Sequence, residues 1–168
     1  MNGISQIEVT REMASLVSDI QKPINQGKLV AIRDKMYSKL EIRNYNDSTA
    51  EHEKSIRWKR TATQILSDGY VYKGKSCTDL AVLFISLCNA LGLETRFVKL
   101  RKNGMVHSIA EVELEDGRYI FDVSNQSNVP IKGEVTKENP YKDWELWKKS
   151  KDAWDLGLSE FNSINKIQ

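Results

Sequence analysis

A cysteine, a histidine and an aspartate stand in this chain, in that order, each in a setting that could make it reactive. Cys77 follows the short loop Gly74-Lys75-Ser76 and opens an apolar run of helical periodicity from Thr78 to Leu91. A thiol at a helix N-terminus faces backbone N–H groups without intrahelical partners and the positive end of the helix dipole. Both favour the thiolate, the nucleophilic form of cysteine. His107 falls inside a strand-like segment and Asp122 at the end of another. Nucleophile, base and orienting carboxylate are the set that nucleophilic acyl chemistry requires. In such a scheme Cys77 attacks an amide or ester carbonyl, His107 handles the proton and Asp122 holds the imidazole. The Cys77 backbone N–H is the first oxyanion-hole donor to expect. A second would come from upstream, with Gln64, Trp58 and Tyr72 as candidates.

These residues need elements to carry them. Met13, Leu16, Val17 and Ile20 recur at helical spacing up to Pro23, and Leu29, Ile32, Met36 and Leu40 form a second apolar face. Ser48 and Glu51 have capping-box spacing, which predicts a third helix running to about Ser67 before Asp68-Gly69. Leu80, Leu83, Phe84, Leu87, Cys88 and Leu91 mark a fourth helix, with Gly92 placed as its C′ residue. Ala81, Val82 and Ile85 widen its stripe, so it should be central. Then the period changes to two: residues 95–101, 107–114 and 118–123 alternate as strands, with a turn at Glu115-Asp116-Gly117. If Asp116-Gly117 is a two-residue turn, Asp122 sits opposite Glu111, two pleats from His107. Past Ser124 the chain reads as polar and irregular, with Trp144, Trp147 and Trp154 docking it on the body. Helices followed by hairpin-linked strands predict an α+β fold.

Length and composition bound the rest. At 168 residues, 40% hydrophobic and with four Trp, the chain suits a single domain, 1–168, with a real core. Its 25 Lys+Arg against 23 Asp+Glu leave a net charge of +2, too little to argue for nucleic acid or a membrane as partner. No apolar run reaches the roughly 18 residues of a spanning helix, and Met1 to Ser5 open no signal peptide. Cys77 and Cys88, if on one helix, stand about 16 Å apart along its axis, too far to bridge. Free thiols suit a reducing, cytoplasmic setting. Cys88, mid-helix in the apolar stripe, reads as a small hydrophobe. Asp79 reads as a first-turn acid favourable to the dipole, and His52 as a solvated residue of a charged helix start. No cysteine or histidine has ligand spacing to His52, so no metal site and no cofactor are expected.

The run Gly74-Lys75-Ser76-Cys77-Thr78-Asp79, closing at Ala90-Leu91-Gly92 and continuing through Arg96 and Val98, resembles the core of the transglutaminase-like superfamily. His107 followed by Glu111-Val112, and Tyr119-Ile120-Phe121-Asp122, match what that family places downstream. The resemblance covers about residues 56–124, flanked by N-terminal helices (1–50) and a C-terminal segment (125–168) without a readable family signature. It departs at Ser108-Ile109, where the family often has Ala-Trp, and at Val123, where it often has Pro. It implies a papain-like core, a central helix carrying the cysteine on an antiparallel sheet, and a Cys77–His107–Asp122 triad. It also implies peptide or protein substrates, hydrolysis more than cross-linking. Oligomeric state is open.

Two other readings compete. Gly69-Tyr70-Val71-Tyr72-Lys73-Gly74-Lys75-Ser76 fits the phosphate-binding pattern G-x4-G-K-S in full. A true P-loop follows a buried strand, whereas Thr61 to Ser67 reads helical, and Tyr-Val-Tyr is bulky for a phosphate cradle. Alternatively the domain keeps the triad's look but only binds peptides or a partner protein, and an unreactive Cys77 would be its signature.

Overall fold

The computed structural model describes residues 4–134 and 143–166. Five helices precede the main sheet: α1 (Arg11–Leu16), α2 (Gln26–Tyr37), α3 (Ala50–Ile56), α4 (Ala62–Asp68) and α5 (Cys77–Ala90). Strands β1 (Glu41–Arg43) and β2 (Tyr70–Tyr72) pair in parallel between them. The main sheet comprises β3 (Glu94–Lys102), β4 (Met105–Leu114), β5 (Gly117–Phe121), β6 (Ile131–Lys132) and β7 (Glu145–Ser150). It is antiparallel in the order β6-β5-β4-β3-β7. The α+β reading holds.

Helix α5 is the hub. Every residue from Thr78 to Cys88 is buried, because α1, α2 and α4 cover it on one side and β3 and β4 on the other. Phe97, Ala110, Val112, Tyr119 and Phe121 point from the sheet into this core, and Phe84 meets Phe121 edge-on at 5.4 Å between ring centres. The opposite sheet face buries Val98, Leu100, Ile109 and Ile120 against Ile131 and Trp144. α5 ends in a Schellman motif: Gly92 (φ 78°) donates to Asn89 O and Leu93 to Cys88 O. Cys88 is fully buried, and burial pushes its thiol pKa up. It should therefore resist iodoacetamide in the folded protein and react only under denaturant. Native labelling at a rate like that of Cys77, read by mass spectrometry, would contradict this placement.

Several expected elements change. The first helix ends at Leu16, well short of Ile20, and the second is shifted towards its Asn25 cap, ending at Tyr37. The third is two helices, because Trp58 takes a left-handed conformation (φ 61°) that breaks the run between α3 and α4. The Ser48/Glu51 box does not form; Ser48 bonds Asn46 instead. A capping box forms at Thr61 and Gln64. The phosphate-binding pattern is not a P-loop: its first half is β2, preceded by α4. The C-terminal stretch is not irregular, since it supplies β6 and β7. Trp154 docks as expected, its indole N–H donating to Trp58 O at 2.5 Å. Among the described residues no helix is long and apolar enough to cross a membrane.

One buried ion pair ties α4 to the start of α5. Arg60, 5% exposed, donates to Asp79 at 2.7 Å and to Asp68 at 3.2 Å. Asp79 therefore does more than complement the helix dipole. Arg60→Met leaves a buried carboxylate without its partner, and stability in urea should fall by roughly 3–5 kcal/mol, towards the lower end because Asp79 can protonate. A loss under about 1 kcal/mol would show that the pair is not a tie.

Candidate active site

The loop that delivers Cys77 is tightly closed. β2 runs into Lys73-Gly74-Lys75, where Gly74 takes φ 76° and Lys75 N–H returns to Tyr72 O at 3.2 Å. The Ser76 hydroxyl bonds the same carbonyl. Cys77 is then the first residue of α5, half-buried, while its flanks Ser76 and Thr78 are buried. The residue lines a cleft beside His107.

His107 lies on β4, opposite Leu100 of β3. Its Nε2 stands 2.7 Å from Asp122 Oδ2, and its ring shares the cleft with the Cys77 thiol, near enough for each to shift the other's ionisation. The expected two-pleat offset is absent because the turn differs. Leu114 pairs with Gly117 and Glu113 with Arg118, so Glu115-Asp116 is the two-residue loop. That shift places Asp122, one residue past β5, diagonal to His107 on the same face. Diagonal neighbours lie within reach of long side chains.

Asp122 is held by Ser124 and Asn128, and its neighbour Val123 by Tyr37, contacts that the sequence reading missed. Its Oδ1 accepts from Ser124 N–H (3.0 Å) and Ser124 Oγ (2.6 Å). Its carbonyl accepts from Asn128 Nδ2 at 3.0 Å. Tyr37 of α2 donates to Val123 O at 2.6 Å. The Asp-x-Ser spacing is an Asx-turn signal readable in the sequence; the contacts of Tyr37 and Asn128 are tertiary. Trp144 covers the other side, 5.6 Å from the His107 ring.

The electrostatics follow from these contacts. For Cys77 burial opposes the thiolate, but the His107 hydrogen bond, the charges of Lys99 and His107 and the Ser108 backbone N–H outweigh it, bringing the thiol to about 6. For His107 burial opposes the imidazolium, but its bonds to Asp122 and Cys77 and their charges raise it to about 10. Burial also opposes the Asp122 carboxylate, and His107 and Ser124 overcome it, so its pKa is lowered. Between pH about 6 and 10 the pair is therefore thiolate and imidazolium, two groups titrating as one unit.

A cleft of about 540 Å³ opens over Cys77 and His107. Tyr37, Ile42, Val71, Leu80 and Val106 give it apolar walls, and Tyr72 lines it too. Of the three candidate oxyanion donors, Gln64 is a correction: it is exposed, and its Oε1 accepts from Thr61 N–H in the capping box. Tyr72 is in the cleft wall with its hydroxyl bonded to His52 Nδ1 at 2.7 Å. Trp58 is buried, its ring near the Lys99 ammonium. His52 is exposed as expected but anchored by that tyrosine.

The family model of the Transglutaminase-like superfamily matches residues 12–122. Among solved structures, a candidate cysteine protease from Cytophaga hutchinsonii is similar over 87% of this chain, at 20% identity and TM-score 0.57. This chain covers 44% of that protein, less than half its length. LapG of Legionella pneumophila is similar over 94% of this chain and 85% of its own, at 14% identity and TM-score 0.56. Its calcium-bound form gives a TM-score of 0.54. No curated protein matches.

Proposed function

Because the chain belongs to the transglutaminase-like superfamily, we propose that it is a thiol-dependent acyl-transfer enzyme. It would cleave or transamidate peptide or amide bonds through Cys77, His107 and Asp122. One observation carries the reading: a single imidazole is bonded to a half-buried carboxylate and shares a cleft with the Cys77 thiol, whose ionisation it favours. The cleft's apolar walls and open face suit an extended peptide.

The Cys77 thiolate attacks the carbonyl carbon, and the developing oxyanion is met by the Cys77 backbone N–H, free at the first turn of α5. Tyr72 is the side chain placed to assist from the cleft wall. The imidazolium of His107 protonates the departing amine, which leaves an acyl-enzyme thioester. The now neutral imidazole takes a proton from water, giving hydrolysis, or from an amine, giving transamidation. The thiolate leaves and the ion pair is restored. Asp122 keeps the ring oriented throughout.

The deciding experiment incubates the protein with a peptide library, with and without a primary amine, and reads products by mass spectrometry. Cleavage or amine incorporation that vanishes in Cys77→Ala supports the reading. A Cys77 that neither turns over substrate nor alkylates faster than an ordinary thiol would favour a peptide-binding module instead.

A further inference from the structure

Lys99 on β3 is almost completely buried, with 1% of its surface exposed. Its Nζ donates to Ser108 Oγ at 2.8 Å and reaches Thr78 Oγ1 at 3.4 Å. It stands 5.3 Å from the centre of the Trp58 ring and 6.0 Å from that of Phe97. These groups solvate an ammonium in part, but none is an anion. Among the described residues no carboxylate lies in ion-pair range of it, and Arg57 adds a second cation nearby. An isolated buried charge costs several kcal/mol, so an ammonium kept here needs a counter-charge.

One neighbour can become an anion. Thr78 follows Cys77 directly in the chain. Ser108, whose hydroxyl holds the ammonium, turns its backbone N–H towards the Cys77 thiol and favours its ionised form. The thiol and the ammonium thus share two neighbours. The remaining charged groups around Lys99 are otherwise engaged or face solvent: Asp79 is bonded to Arg60, His107 to Asp122, and Lys148, opposite on β7, is exposed.

We propose that Lys99 is a positioning residue for Cys77, a buried cation that serves as standing counter-ion to the thiolate and acts beside His107 rather than through it. This rests on the acyl-transfer reading and deepens it. His107 gives up its proton during each turnover, so its charge comes and goes. Burial lowers the Lys99 pKa and the neighbouring thiolate raises it; the ammonium takes no part in the proton transfers, and it supports the thiolate as a leaving group when the thioester breaks.

The test is the pH midpoint of Cys77 alkylation in the full chain, for wild type, Lys99→Met, His107→Ala and the double variant, with Cys88 protection as the check on folding. Lys99→Met should raise the midpoint by about one pH unit, a tenfold change in the thiol–thiolate equilibrium. A comparable rise should appear in the His107→Ala background. A Lys99→Met profile that superimposes on wild type, or an effect that disappears without His107, overturns the proposal and leaves the triad standing. A wild-type midpoint in the ordinary cysteine range would instead sink the acyl-transfer reading itself. If Lys99→Met does not fold, the reciprocal measurement serves. By linkage, Cys77→Ala should lower the NMR titration midpoint of the Lys99 side chain, and an unchanged midpoint rejects the pairing.

Discussion

His107→Ala is expected to move the alkylation midpoint of Cys77 from about 6 to the ordinary cysteine range near 8.5. The sign follows from the charges. With imidazolium beside it, the thiol ionises as pH rises through about 6, and the partner keeps its proton until about 10. Alanine removes the hydrogen bond that most lowers the thiol pKa and leaves burial, which opposes ionisation, in place. At pH 6 the thiolate fraction should fall from about one half to under roughly 1%. A thiolate of higher pKa is intrinsically more nucleophilic, so the shifted midpoint is a firmer readout than the rate at any single pH. Turnover should fall by roughly 10²–10⁴ as well, because the same residue is the proton carrier. A variant that keeps both the midpoint near 6 and its turnover would remove His107 from the mechanism.

Asp122→Ala should lower kcat by roughly 10²–10⁴ with little change in KM, since the carboxylate touches the imidazole and not the substrate. It accepts from His107 Nε2 at 2.7 Å, and that bond is the largest contribution raising the histidine. Without it the imidazolium should lose its proton well below pH 10, so the alkaline limb of the activity profile should move to lower pH. Asp122→Asn keeps an acceptor for the ring N–H without the negative charge, so it should retain more activity than alanine. The upper limb, followed by His107 NMR titration, separates orientation from charge. If alanine keeps kcat within about threefold and the upper limb does not move, Ser124 and Asn128 are holding a loop and not a catalytic carboxylate.

Much of this site was legible before any fold was known. The Cys77 signal is local: a glycine-containing loop, then an apolar helix whose 3.6 period survives burial on all sides. The strands of His107 and Asp122 show in a period of two. Other features needed the third dimension. The break at Trp58 carries no glycine or proline, so Ser48 to Ser67 reads as one helix until packing forces a left-handed turn. β1 and β7 are short and polar, and their strand character comes from their partners β2 and β3. Gln64 had a side chain suited to an oxyanion hole, but its place three residues after Thr61 committed it to a cap.

The order and types of the reactive residues are properties of the chain alone, because helix start, strand period and nucleophile chemistry are local. Two things were decided only by tertiary structure. The register of β4 on β5 brings Asp122 to His107, and a one-position change of turn sets it. The burial of Lys99 beneath Cys77 comes from residues 78, 99 and 108 meeting across a helix and two strands. Local sequence cannot encode such a meeting, because the charge and its counter-charge are strangers until the core closes around them.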